Sequence, residues 1–223
     1  MARKKATTDW YEKLPKKYKE SSHNPNYKYH HISLPFRALI VGSSGSGKTT
    51  LVFELLKQIN KTFEHIVLCI KNKDEPLYQW LKDGLGGRIT IYENGVIPNI
   101  EEVNPDKQQI LMIFDDLVNE PKSTQSKITE YYIRGRKMNI SMIYLTQSYY
   151  KTPKTIRINC NYIFIKKLSA MKDLKMICSE YTIDRSLKEL LKEYENATDN
   201  KLDFLLIDLH TNDNRLRVRK NFG

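Results

Sequence analysis

The sequence predicts an α/β domain built on a mainly parallel central sheet, and three observations point there. Short continuous apolar runs, such as FRALIV at 36–41 and QILMIF at 109–114, suit strands buried on both faces. Segments with apolar residues at helical spacing separate those runs. A glycine- and serine-rich loop, GSSGSGKTT at 42–50, joins the first run to the first helical segment.

In chain order, residues 1–31 hold Lys, Tyr, His, Ser and Asn without apolar periodicity, and read as a basic arm that is irregular or ordered only on assembly. The core is expected over 32–210. It opens with the 36–41 strand. Residues 49–60 carry apolar side chains at 51, 52, 55, 56 and 59, a helical spacing. HIVLCI at 65–70 is a second strand, 75–82 a helix and RITIY at 88–92 a short strand. The 109–114 strand ends in Asp115-Asp116, and 123–137 forms a helix. ISMIYL at 140–145 is a strand ending in Thr146-Gln147, and 162–165 is another. Residues 171–181 and 185–194 are helical. Residues 203–209 and 215–219 pair as a hairpin across a turn at 210–214, so that the basic tail 211–223 completes it.

Composition narrows the class. No apolar run approaches the roughly 20 residues of a membrane span, and the Lys-rich start lacks the apolar core of a secretory signal. A soluble, intracellular protein is expected. Cys69, Cys160 and Cys178 stand far apart, as reduced thiols do, and offer neither a disulfide frame nor a zinc site. The 37 Lys/Arg against 26 Asp/Glu give +11, unevenly spread. Residues 1–31 carry eight cations against three acids, 211–223 four against one, and 151–175 seven against one. Such stretches suit a polyanion, nucleic acid first; Lys-rich tails also serve plain solubility.

Gly42, Gly47, Lys48 and Thr49 match G-x-x-x-x-G-K-[ST], placed after a strand and before a helix. The glycines let backbone N–H groups curl toward phosphate oxygens, and the helix start adds its positive dipole end. Gly42, Ser43, Ser44, Gly45, Ser46, Gly47, Lys48, Thr49 and Thr50 are therefore the candidate ATP cradle. Lys48 would reach the β- and γ-phosphates and the Thr49 hydroxyl would ligate Mg²⁺. Asp115 is the candidate second ligand, direct or through water, and Asp116 the general base for the attacking water. Gln147, at a strand's carboxyl end, would sense the γ-phosphate or orient water. DGLG at 83–86 and NKDE at 72–75 lie in the wrong order for a GTPase. Arg134, Arg136 and Arg157 flank the Gln147 strand and are candidates for an arginine lent to a neighbouring subunit's site.

GSSGSGKTT, ILMIFDD and RGRKMNISMIYLTQSYYKTPKTIRINCNYIFI resemble the genome-packaging ATPases of poxviruses, giant DNA viruses and virophages, a branch of the FtsK/HerA superfamily of P-loop translocases. The resemblance covers about residues 34–210, and the third block is its most specific part. It implies a RecA-like (ASCE) ATPase core with additional strands. It also implies a homo-oligomeric ring, pentamer or hexamer, around double-stranded DNA, with hydrolysis driving a genome into a preformed capsid. Capsid proteins would be partners, and the setting the cytoplasmic factory of an infected host or the virion itself. Lys48, Thr49, Asp115, Asp116 and Gln147 fall on the family's P-loop, metal, base and sensor positions. For the DNA channel the candidates are Lys151, Lys154, Arg157, Lys166, Lys167, Lys172 and Lys175, with Tyr149 and Tyr150 beside them, or the hairpin cations Arg215, Arg217, Arg219 and Lys220. Two other classes remain open on sequence alone: a P-loop enzyme such as a helicase loader or nucleotide kinase, and a non-catalytic DNA- or capsid-binding protein.

Overall fold

The computed structural model describes residues 8–15, 18, 22–72, 74–181 and 185–223. After one helical turn, α1 (Tyr27–His30), the chain enters β1 (Arg37–Val41), whose residues 38–41 are all buried, as an interior parallel strand requires. The loop 42–47 hands over to α2 (Lys48–Gln58), which buries Leu51, Val52 and Leu55. Next come β2 (His65–Ile70), α3 (Pro76–Leu85) with proline at its first turn, and β3 (Ile89–Tyr92). A short α4 (Ile100–Val103) precedes β4 (Ile110–Asp115) and α5 (Lys122–Arg134). A 3₁₀ turn over Gly135–Met138 leads to β5 (Ile140–Thr146). Then follow α6 (Lys154–Asn159), β6 (Tyr162–Ile165), α7 (Met171–Glu180) and α8 (Leu187–Ala197). A capping box between Ser186 and Glu189 opens α8. The chain closes with β7 (Leu205–Asp208), α9 (Asn214–Arg217) and β8 (Val218–Lys220).

The eight strands form one sheet in the order β3-β2-β4-β5-β1-β6-β7-β8. The first six run parallel, and β7 and β8 are added antiparallel. Two apolar layers cover its faces. Leu39, Val41, Met112 and Phe114 join one with α5 and α7; Ala38, Ile40, Leu111 and Ile113 join the other with α2 and Tyr78 of α3. The period-2 alternation along β1 and β4 therefore feeds two cores. No helix among the described residues is long and apolar enough to cross a membrane. The three cysteines are free thiols.

Three local expectations need correction. The helix expected over 123–137 stops at Arg134, because the turn at Gly135 presses onto β5: a Cβ there would lie 2.8 Å from the Met142 methyl. The strand expected over 215–219 begins only at Val218. The Asp213 side chain accepts from Arg215 N–H and starts a helical turn, so the hairpin with β7 is short. The arm expected to be irregular through residue 31 is anchored over its last part. The Gln109 side chain accepts from His23 N–H and donates to His23 C=O, Asn24 Nδ2 donates to Ile32 C=O, and Asn26 Nδ2 to Gln58 C=O. Residues 1–7, 16–17 and 19–21 of that arm lie outside the described residues.

His30 fastens this segment. It is fully buried, Nδ1 accepts from Ile32 N–H at 2.9 Å, and its carbonyl accepts from Arg219 Nη2 at 3.1 Å. Burial first, then the neighbouring charges of His31 and Arg219, lower its pKa from 6.5 to about 4. Between those values the unfolded chain binds the proton and the folded chain does not. Stability is thus complete above the unfolded value and falls as pH drops toward the folded one. Through this residue alone, acidification from pH 7 to 5 is expected to remove about 2 kcal/mol, read as the difference in urea-midpoint slope between wild type and His30→Leu, since the raised carboxyl of Asp115 acts in the opposite sense. His30→Leu should flatten that slope; an unchanged slope would assign the effect elsewhere.

Candidate nucleotide-binding site

Strand β1 lies between β5 and β6 and delivers Gly42 to the carboxyl edge of the sheet. The loop is pinned to both neighbours: Gly42 N–H donates to Thr146 C=O at 3.2 Å, and Ser43 N–H donates to Lys167 C=O at 2.9 Å. Gly45 and Gly47 stand at φ +69° and +86°, a region that glycine alone enters freely. A Cβ on Gly42 would fall 2.6 Å from both Lys166 Cβ and Ser46 Oγ, so the strand end approaches too closely for any side chain. Among the described residues the N–H groups of Gly45 and Gly47 donate to no carbonyl, and Ser46 Oγ is buried without a partner. Helix α2 then presents its first, intrinsically unpaired N–H groups to the same hollow. Orphaned donors around a concave turn are what a phosphate chain satisfies.

Lys48 Nζ lies over the loop, donating to Gly42 C=O at 2.9 Å and Ser43 C=O at 3.0 Å. Burial lowers its pKa, while Asp115 and Asp116 raise it, so both carboxylates of β4's end lie within its field. Burial also raises the Asp115 carboxyl from 3.8 to about 6; a hydrogen bond from Tyr78 and the Lys48 charge work the other way, and Asp116 adds to the rise. Asp116 itself sits at φ +56°, which turns its carboxylate out of the strand direction. There Gln147 Nε2 donates to Asp116 Oδ1 at 3.3 Å. The structure thus brings Lys48, Thr49, Asp115, Asp116 and Gln147 to one edge. A cavity of about 490 Å³ opens between the ends of β2 and β4 and the start of α3. A second, of about 320 Å³, lies on the β6 side of the loop, against Ser43, Lys167, Asp199 and Lys201.

Sequence reasoning missed Tyr78. Its ring is buried in the core, and its hydroxyl donates to Asp115 Oδ2 at 2.7 Å within hydrogen-bonding reach of the Thr49 side chain. In PLYQWL it reads as one more apolar position. The available signal was chemical: a tyrosine on the buried side of a helix needs a partner for its hydroxyl. Among the described residues no three His, Cys, Asp or Glu gather into a metal cage. A lone hydroxyl and carboxylate, both hard oxygens, instead suit Mg²⁺, which keeps waters and shares substrate phosphates. Tyr78→Phe keeps the ring and removes the donor that orients Asp115. It is expected to weaken binding of a fluorescent ATP analogue about 10–100-fold with magnesium present, and little in EDTA. Equal weakening in both would make Tyr78 a packing residue only.

The three candidate arginines separate. Arg157 is 5% exposed: Nη1 donates to the carbonyls of Tyr149, Tyr150 and Thr152, and Nη2 pairs with Glu180 at 2.7 Å. It braces the loop after β5, and reaching into a neighbour's site would require unpacking it; it leaves the set. Arg134 and Arg136 are exposed. Arg134 ends α5 and Arg136 lies in the turn after it, where Arg37, at the start of β1, donates to Tyr132 C=O. That is the edge of the sheet opposite the cradle. Arg134 pairs with Glu101 and Glu130, whereas Arg136 forms no ion pair among the described residues. Lys166 also leaves the channel candidates. It is 1% exposed beneath Gly42, donates to Lys201 C=O and Asp203 C=O, and burial lowers its pKa from 10.5 to about 8.

Strand β5, which carries Gln147, lies between the P-loop strand β1 and the acid-bearing β4. This is the strand plan of a RecA-like P-loop NTPase. The chain belongs to the poxvirus A32 protein family, whose model matches residues 26–82 and 90–210. It is 29% identical over 143 residues to the DNA packaging protein OPG160 of Variola virus, an alignment covering 59% of this chain and 53% of that protein. The chain thus spans about half the length of the curated relatives it matches first. It is 24% identical over 216 residues to protein L649 of Acanthamoeba polyphaga mimivirus, covering 92% of this chain and 72% of that one. Its fold is similar to the genome packaging NTPase B204 of Sulfolobus turreted icosahedral virus 2, solved with ATP-gammaS. There the TM-score is 0.60 at 16% identity, over 85% of this chain and 98% of that chain.

Proposed function

We propose that the chain is an ATP-hydrolysing motor that moves double-stranded viral DNA into a preformed capsid as a homo-oligomeric ring. The observation that carries this is the joining of a phosphate cradle to a tandem acid, with Gln147 hydrogen-bonded to the second acid. Membership of the A32 family and the packaging names of its relatives support the DNA cargo.

The chain's own groups would act as follows. Loop amides and the start of α2 hold the triphosphate, and Lys48 leaves its two carbonyls to reach the β- and γ-phosphates. Thr49 and Asp115 would hold Mg²⁺, which when bound neutralises charge building on the phosphate oxygens. Asp116 accepts the proton of a water attacking the γ-phosphorus; the bond to the β–γ bridging oxygen breaks, leaving ADP and phosphate. Gln147 fixes the Asp116 carboxylate and lines the path of that water. An arginine from the next subunit would complete the charge, and Arg136 suits that role better than Arg134, which is already paired. Ring size, pentamer or hexamer, and the capsid protein that docks the ring belong to the same proposal.

The test is phosphate release with and without duplex DNA. Stimulation by duplex is expected. Transfer of phosphate to a nucleoside monophosphate, independent of DNA, would make the chain a kinase, and nucleotide binding without turnover would make it a non-catalytic module.

A further inference from the structure

The cations offered to a polyanion fall into two groups, and the fold treats them differently. Three cations of the C-terminal group stand beside acids of the chain, and the fourth, Arg217, is held by a carbonyl. Arg215 pairs with Asp213 at 2.8 Å and Lys220 with Asp203 at 2.7 Å. Arg219 is buried beside Asp208, and Arg217 Nη2 donates to Thr211 C=O at 2.7 Å. A cation beside an acid has its field partly offset before a phosphate arrives.

Lys151, Lys172 and Lys175 are exposed and form no ion pair among the described residues. Lys172 and Lys175 are three apart on α7, whose Asp173, Leu174 and Ile177 face inward, so both ammonium groups share the outer side. Lys172 Nζ lies 4.0 Å from the centroid of the Tyr150 ring, which is itself 56% exposed. This contact puts the start of α7 beside the loop that carries Lys151. The loop is held rigidly. The Asp173 carboxylate accepts from Tyr149 N–H and Tyr150 N–H, both at 3.1 Å, and Arg157 caps three of its carbonyls from below. Its first residue is Gln147, hydrogen-bonded to Asp116.

We propose that Tyr150, Lys151, Lys172 and Lys175 form the surface that grips the phosphate backbone of duplex DNA, and that the C-terminal cations do not. The inference rests on the packaging motor proposed above and names where that motor touches its cargo. Mobile lysine charges on a fixed support suit contacts that must be made and broken without regard to sequence. The platform hangs directly from the loop that follows Gln147, so a change at Asp116 has a short, hydrogen-bonded route to it.

The test uses the full chain and fluorescence anisotropy with labelled duplexes of two unrelated sequences. The salt range is about 50–200 mM. The triple variant Lys151→Ala/Lys172→Ala/Lys175→Ala is expected to bind both duplexes more weakly, to the same degree. Its log affinity against log salt should be less steep by about 0.9 for each phosphate that is no longer neutralised. Binding of a fluorescent ATP analogue should be unchanged, which shows an intact fold and cradle, and Arg215→Ala should bind duplex as the wild type does. Wild-type affinity and salt slope in the triple variant would overturn the assignment. So would an equal loss in Arg215→Ala, or a preference for single strands that disappears with Tyr150→Ala. A wild-type chain that hydrolyses ATP yet binds no duplex would instead overturn the packaging motor, and this surface with it.

Discussion

Lys48→Ala is expected to abolish hydrolysis and to strip the chain of measurable affinity for a fluorescent ATP analogue. The ammonium lies over the loop and within the field of both β4 carboxylates. Without it, the phosphates meet Asp115 and Asp116 with one positive charge fewer to offset their mutual repulsion. The Asp115 carboxyl, already raised by burial and by Asp116, loses one of the two influences that lower it and rises further. Losing a single preorganised donor at a reacting oxyanion costs about 10²–10³ in rate. Here the loss of ground-state binding adds to that, so kcat/KM falls by more than kcat. Stability should move by less than about 1 kcal/mol, because the side chain lies on the rim of the hollow and outside both apolar layers. Lys48→Arg keeps the charge but replaces a compact point donor with a planar fork. If it restores binding without turnover, charge alone holds the nucleotide and the position of Nζ governs the reaction. Wild-type turnover in Lys48→Ala would remove the cradle from the chemistry.

Much of the fold was legible because buried parallel strands announce themselves as apolar runs. HIVLCI and YIFI match β2 and β6 at both ends. The order of the strands was not legible. Interior strands are apolar on both faces and carry no mark of their neighbours, so nothing in ILMIFD or ISMIYLT says that β5 lies beside β1. The cradle was readable because its chemistry needs glycine, lysine and a hydroxyl at fixed spacing along one stretch of chain. Asp115, Asp116 and Gln147 were readable because strand ends at the carboxyl edge converge. What escaped depends on contacts distant in sequence. Arg157 looks like a surface cation in KTIRIN, and only the approach of Glu180 on α7 shows it to be a brace. Lys166 looks like a channel lysine until the carbonyls of residues 201 and 203 are brought to it. The alternation of RLRVR reads as a strand, yet the Asp213 cap takes its first half into a helical turn.

Asp116→Asn is expected to part binding from turnover. The position stands at φ +56°, where most side chains are strained and asparagine is among the few that are not. The substitution therefore keeps the backbone that aims the side chain and conserves its size. It also keeps an oxygen to accept from Gln147 Nε2. Only the capacity to take a proton is lost. If Asp116 is the base, phosphate release drops by about 10²–10⁴-fold while nucleotide affinity stays close to wild type. A chain held in its ATP-bound state should then retain duplex binding without stimulation of turnover. Asp116→Ala is the less informative variant, since it also strains the loop and takes away the Gln147 partner. Should Asp116→Asn hydrolyse at the wild-type rate, the proton must leave the water by another route. Asp115 would be the nearest carboxylate, held by Tyr78 and raised by its burial toward neutrality. The two acids are distinguished by that environment: one is fixed by a tyrosine and half-buried, the other is turned outward and held by an amide. The first arrangement suits a ligand that must not move, and the second a base that must meet solvent.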